Sequence, residues 1–171
     1  MRSSWSSPST SVIAVAPEAV RDSLSTKQQE ALADGRLSDA DLARLSPSPA
    51  VREALADTIA RTFGDEEDLL LAVRSSAPEE DAAEQSFAGQ LESFLFVRPS
   101  DVADRVADVW RSAFRDSVLE YRRTQGLDGA PPPPAIVVQR MINPDRAGVG
   151  FSADPSTGQR GVCVVGAVRG V

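Results

Sequence analysis

The 171-residue chain contains no histidine, one cysteine and one lysine. Without histidine there is no Ser-His-Asp catalysis, no imidazole metal site and no phosphohistidine formed on this chain. A lone Cys163 rules out a disulfide framework or a cysteine zinc site, and its apolar surroundings read as a small hydrophobe in a strand. Lys27 being the single lysine, arginine supplies the rest of the 18 cations, so any side-chain cation that meets a phosphate is expected to be arginine. No apolar run approaches the roughly 18 residues a membrane span needs. Val12 to Ala16 is too short for the apolar core of a secretion signal, which takes at least about 7 residues. A cytoplasmic protein with a disordered serine-rich start, residues 1–16, is therefore expected.

The composition is that of a soluble globular protein, 42% hydrophobic and 25% charged. The length suits one ordinary domain, or a large piece of a two-lobed one, with a core that needs no staples. A net charge of −7 argues against nucleic acid or an anionic membrane as the partner, although a local pocket can still attract a small anion.

Residues 17–64 read as a helical segment. Ser25 with Gln28 is a capping box, and Gly35 is placed to close that helix. Ser38 with Asp41 repeats the pattern. Ser48 followed by Pro49 opens a longer helix whose Val51, Leu55, Ile59 and Phe63 share one face, with Gly64 at its end. Beyond it, Leu69 to Arg74 predicts a buried strand, 75–90 a loop, and Leu91 to Val97 a second strand with Leu91, Ser93, Leu95 and Val97 on one face. A single long helix is expected from Pro99 to Gly126, its stripe running through Val102, Val106, Val109, Trp110, Ala113, Phe114 and Tyr121. The tract Gly126 to Pro134 is a connector that cannot pair in a sheet. Three strands follow as a β-meander, at 135–142, 147–152 and 161–168, with turns at Asn143-Pro144-Asp145 and Asp154 to Gly158. The fold class is α+β with two layers. The apolar strand that ends at Val171 reads as a truncated edge.

Two constellations carry chemistry. In AVRSSAPEEDAAEQSFAGQ, residues 72–90, a cation follows a buried strand, the place where open sheets commonly bind ligands. The guanidinium fork of Arg74 suits phosphate oxygens, Ser75, Ser76, Ser86 and Ser93 add hydroxyls, and Gly89 allows close backbone approach. An equally weighted reading is a surface loop in which Arg74 pairs with Glu79, Glu80 or Asp81. Those carboxylates could touch phosphate-held Mg²⁺ or simply form a solvated surface. In IVVQRMI, residues 136–142, alternation puts Gln139 and Met141 on the face opposite Arg140. An amide and a thioether suit a flat heteroaromatic ring. Locally, an ordinary half-buried strand explains the same pattern.

The segment LLLAVRSSAPEEDAAEQSFAGQLESFLFV, together with AIVVQRMINPDRAGVGFSADPSTG, resembles the ATP-binding domain of phosphoenolpyruvate synthases and pyruvate phosphate dikinases, which also opens rifampicin phosphotransferases. The likeness runs from about Leu69 to the C-terminus. It implies a partial ATP-grasp fold over 65–171, with ATP and Mg²⁺ as ligands and metal residues unassigned. By that resemblance Arg74, Ser75 and Ser76 contact phosphates, Gly89 and Ser93 line the loop over them, and Gln139 and Met141 flank adenine. It further implies that phosphate passes to a histidine on a separate domain, which delivers it to pyruvate or a drug hydroxyl. The family's glycine-rich lysine segment and later acidic metal ligands have no counterpart in these residues. The chain alone is therefore expected to lack catalytic residues and activity, and to depend on a C-terminal portion or separate chain that carries the phosphohistidine and acceptor domains. The alternative is a non-catalytic nucleotide- or partner-binding module, or remnant, derived from that domain.

Overall fold

A computed structural model describes residues 11–34, 37–64, 66–76, 91–127 and 129–170. The expected helix end at Gly35, and Glu79, Glu80, Asp81, Ser86 and Gly89 of the stretch expected as a loop, lie outside that description. The chain divides into two compact units, residues 1–141 and 142–171.

The first unit is built on a four-stranded antiparallel sheet in the order β1-β4-β2-β3. Strand β1 is Val12–Val15, β2 Leu71–Ser76, β3 Ser93–Val97 and β4 Ala135–Arg140. Helices α1 (Glu18–Arg21), α2 (Thr26–Ala33), α3 (Asp39–Arg44) and α4 (Pro49–Phe63) come between β1 and β2. Helices α5 (Val102–Ser112) and α6 (Asp116–Thr124) come between β3 and β4. Sequence caps set these helix starts. The Ser25 amide donates to Gln28 Oε1 at 3.1 Å, the Asp41 amide to Ser38 Oγ at 3.2 Å and the Val51 amide to Ser48 Oγ at 3.4 Å. Each satisfies an amide that a helix's first turn leaves without a partner.

One core binds helices and sheet. Val20, Leu55, Ile59 and Phe63 from the helical segment join Leu71, Val73, Ile136 and Val138 of the sheet and Val102, Val106, Val109 and Trp110 of α5. In α5 the spacing of 102, 106, 109 and 110 keeps all four side chains on the stripe that meets β2 and β3.

Three expectations change in this unit. Val12–Val15, expected within a disordered start, is a strand, with Ile13 and Val15 buried and Val12 aligned with Gln139. Its partner strand lies more than a hundred residues away, so no local signal marks it. The expected single helix from Pro99 to Gly126 is a 3-10 turn at Pro99–Asp101 followed by two helices. The break follows Ser112, which is fully buried and donates its hydroxyl to the Val109 carbonyl at 2.7 Å. That side chain also accepts from the Glu92 amide at 3.2 Å. A hydroxyl bonded back into the helix competes with the backbone ladder, and the next amides, Ala113 and Phe114, bond three residues back instead of four. The third change is in β3, where a register shift opposite Leu71 and Val73 accompanies a positive φ of 56° at Phe96. That irregularity breaks the expected alternation: Ser93 pairs with Arg74 while Val97 pairs with Leu71 on the core side.

The second unit is the hairpin β5 (Arg146–Ala153) and β6 (Arg160–Arg169), paired in one register from Arg146 opposite Arg169 to Phe151 opposite Val164, with a register shift before Ala153 opposite Arg160. Among the described residues the expected three-strand meander is not formed, because β4 pairs with β1 and β2 in the first sheet. Asp154 builds its tip. Its Oδ1 accepts from the Ser156 amide at 2.8 Å and the Thr157 amide at 3.4 Å. The Ser156 bond is the main reason its carboxyl sits below the ordinary 3.8. A depressed folded value means the stabilisation is complete above 3.8 and disappears as pH falls through the lower one. The Ser156 and Thr157 amide resonances are accordingly expected to shift on acidification below that value, and Asp154→Ala to abolish the titration. Persistence of the titration in the variant would remove Asp154 as its source.

Candidate functional site

The sheet of the first unit has two unlike faces, and register determines which residues share each. Antiparallel partners point to the same side. On the helix side lie Ile13, Val15, Leu71, Val73, Ile136 and Val138, all buried. Arg140 belongs to this side too, being aligned with Leu71. Ser75, aligned with Ile136, does as well.

The opposite face carries Arg74, aligned with Val137 and Ser93, and Gln139, aligned with Ala72 and Val12. Ser76, aligned with Ala135, completes the row. Arg74, Ser76 and Ser93 are exposed and Gln139 is half-buried. Met141 extends the ladder by one residue through its amide, which donates to the Leu70 carbonyl at 2.8 Å. Alternation then returns its side chain to the Gln139 side.

Five of the seven residues singled out by sequence therefore share one face: Arg74, Ser76, Ser93, Gln139 and Met141. Ser75 is turned to the other side, because β2 runs on through Ser76 and alternation continues where a loop had been expected. Gly89 lies outside the described residues. Among the described residues nothing forms a hydrogen bond or ion pair with the Arg74 guanidinium, which leaves its donor fork open on the face. The paired surface-loop reading, with Glu79 to Asp81 as partners, involves residues that are not described.

Among the described residues this site is a sheet surface on which Arg74, Ser76 and Ser93 are exposed. A separate cavity of about 280 Å³ is lined by Leu32, Leu42, Phe114, Leu119, Arg122 and Leu127, among others, and contains none of the face residues. Among the described residues no group of three His, Cys, Asp or Glu side chains could hold a metal ion. No described helix is long and apolar enough to cross a membrane.

One contact at this strand end escapes a sequence reading. Arg140, between Gln139 and Met141 but on the other face, donates to Glu66 Oε2 at 2.5 Å and Oε1 at 3.0 Å. It also donates to the Phe63 carbonyl at 3.2 Å. Phe63 ends α4, so this cation also caps a carbonyl that the helix leaves without a partner. The Arg140 hydrogen bond holds the Glu66 carboxyl below its usual value, and the same bond raises the guanidinium. Alternation alone separates Arg140 from Gln139; the acceptor 74 residues away has no sequence signature.

The described residues thus form an α+β domain with an arginine and an amide on one face of its sheet. The sequence model of the pyruvate phosphate dikinase AMP/ATP-binding domain matches residues 18–171, and the chain belongs to that family, an ATP-grasp-type domain. The chain is 37% identical to a rifampicin phosphotransferase of Streptomyces sviceus over 150 residues, 86% of this chain and 17% of that protein. It is 40% identical to a phosphoenolpyruvate synthase of Pyrococcus furiosus over 114 residues, 66% of this chain and 14% of the relative. The chain thus spans about a sixth of the length of the curated relatives it matches.

Proposed function

We propose that residues 65–171 are the ATP-binding portion of a cytoplasmic phosphotransferase similar to phosphoenolpyruvate synthase and pyruvate phosphate dikinase. The observation that carries this reading is the grouping of Arg74, Ser76, Ser93, Gln139 and Met141 on one face of a single sheet. On it the cation and hydroxyls lie along β2 and β3, and the amide and thioether lie at the end of β4. A nucleotide's phosphates suit the first set and its flat ring the second. Arg74 supplies a permanent positive charge in a bidentate fork, and Gln139 supplies a donor and an acceptor for a ring edge.

By the family likeness, phosphate taken from ATP would pass to a histidine on a separate domain; the absence of histidine from this chain agrees with that, and equally with no transfer. That portion, on the same or another polypeptide, would also choose the final acceptor. The relatives above are named for different compounds, rifampicin and phosphoenolpyruvate, and no described residue on this face selects between them. Mg²⁺ is implied by the family likeness, but the described residues offer no cluster to hold it. The phosphate role accordingly rests here on Arg74. A non-catalytic nucleotide- or partner-binding module could use the same face; turnover of radiolabelled ATP by the 171-residue chain would overturn the expectation that the chain alone is inactive.

Calorimetric titration with ATP and Mg²⁺ tests the assignment. Arg74→Ala is expected to weaken binding about ten- to a hundredfold, the range that follows from roughly 1.5–3 kcal/mol for hydrogen bonds to charged groups. Equal affinity in both proteins would remove Arg74 from the phosphate site. No binding by the unaltered chain would overturn the nucleotide reading as a whole.

A further inference from the structure

We propose that Arg140 is a positioning residue for the ring side of the nucleotide face: by tying the end of β4 to α4 and Glu66, it holds Gln139 and Met141 in the register that presents them together. The inference rests on the nucleotide reading above and adds to it a residue that touches no ligand.

Three observations converge. Arg140 is the last residue of β4, and the first compact unit ends one residue later. Beyond it the ladder has a single further bond, from the Met141 amide to the Leu70 carbonyl. A strand end held by one bond frays readily. The guanidinium supplies what the ladder no longer does, with contacts to both oxygens of Glu66 and to the final carbonyl of α4. A planar fork reaching three acceptors in two segments fixes direction as well as distance, which a lysine ammonium could not do equally well. Because Gln139 and Met141 flank Arg140 on the opposite face, a twist of the strand end at 140 displaces both side chains together.

The tie is solvent-accessible, the two side chains being 42% and 58% exposed. Its loss is therefore expected to alter local geometry while leaving the buried core intact. That separates positioning from general stability. Amide hydrogen exchange on the full chain reads the geometry directly. Arg140→Gln is expected to speed exchange of the Met141 amide at least tenfold, with the Val73 and Val138 amides unchanged. Glu66→Gln should act in the same direction, Arg140→Lys should restore protection in part, and the reversed pair Arg140→Glu with Glu66→Arg should recover most of it.

The ligand arm uses ATP and tripolyphosphate, which carries the phosphates without the ring. Arg140→Gln is expected to weaken ATP binding about five- to tenfold and leave tripolyphosphate affinity unchanged. An unaltered Met141 exchange rate overturns the proposal. So does an equal rise across the whole sheet, which would make Arg140 a general structural residue. Faster Met141 exchange with undiminished ATP affinity would sink the ligand role. Failure of the unaltered chain to bind ATP overturns the nucleotide reading itself, while the exchange arm still decides whether Arg140 fixes the strand end.

Discussion

Trp110→Ala is expected to destabilise the first unit by about 3–5 kcal/mol, the range for truncating a buried aromatic to alanine. Trp110 is fully buried in the last turn of α5, in the common core that also holds Val106, Val109, Leu71 and Val73. Alanine removes the ring without a neighbour able to fill the space, because α5 is fixed at both ends. Its start follows a proline turn, and the Ser112 hydroxyl pins its last residue to the Glu92 amide. Trp110→Phe should cost far less. The indole Nε1 is buried with no acceptor among the described residues, and an unsatisfied buried donor carries a penalty of about 1–3 kcal/mol that phenylalanine abolishes. The gain offsets much of the lost area, so a net loss below about 2 kcal/mol is expected. Urea unfolding followed by far-ultraviolet circular dichroism checks both variants. A phenylalanine variant as unstable as the alanine one would show that the indole nitrogen contributes a favourable bond.

The contrast between α4 and β1 shows what a sequence reveals and what it hides. In α4 every determinant is local: Ser48 caps, Pro49 fills a position that needs no amide, and residues four apart share a face. Strand β1 has only four residues, and its identity comes from pairing with β4. The same distinction runs through the site. Alternation along a recognisable strand is local, so Gln139 and Met141 could be assigned to one face from IVVQRMI. Placing Arg74 on that face as well requires the alignment of Arg74 with Val137, which is a property of the folded sheet. Ser75 illustrates the cost of lacking it. As a loop residue it could have reached a ligand beside Arg74, but as a strand residue it must point the other way. The break after Ser112 was hidden for a related reason, since neither glycine nor proline marks it. A buried serine ends the helix through bonds that surface serines satisfy with water.

Gly148→Ala is expected to open the β5–β6 hairpin, whereas Gly150→Ala two residues away leaves it paired. The two glycines look equivalent in AGVGFSA, lie on the same face by alternation, and both belong to β5. Their surroundings differ. A Cβ on Gly148 would meet the Gly166 carbonyl oxygen at 2.6 Å, with the Ala167 backbone and methyl at 3.4 Å. At Gly150 a Cβ would find nothing within 4 Å. The obstruction at Gly148 is main chain, which cannot rotate aside as a side chain would, so the strands must separate or slip. Steric insertion into a packed site costs typically about 1–3 kcal/mol. A two-stranded ribbon is marginally stable at best, so a penalty of that size exceeds what its pairing can absorb. Slippage by one residue would exchange the two faces of the ribbon. Alanine at Gly150, by contrast, only removes backbone freedom from the unfolded chain and is expected to be neutral or slightly stabilising. Cross-strand amide contacts between Val149 and Gly166 and between Ala147 and Val168 are the readout, as magnetisation transfer between their amides and α-protons. They should vanish in the first variant and persist in the second, with the sheet of the first unit unchanged in both. Intact pairing in Gly148→Ala would mean that the two strands tolerate a wider separation than their register implies.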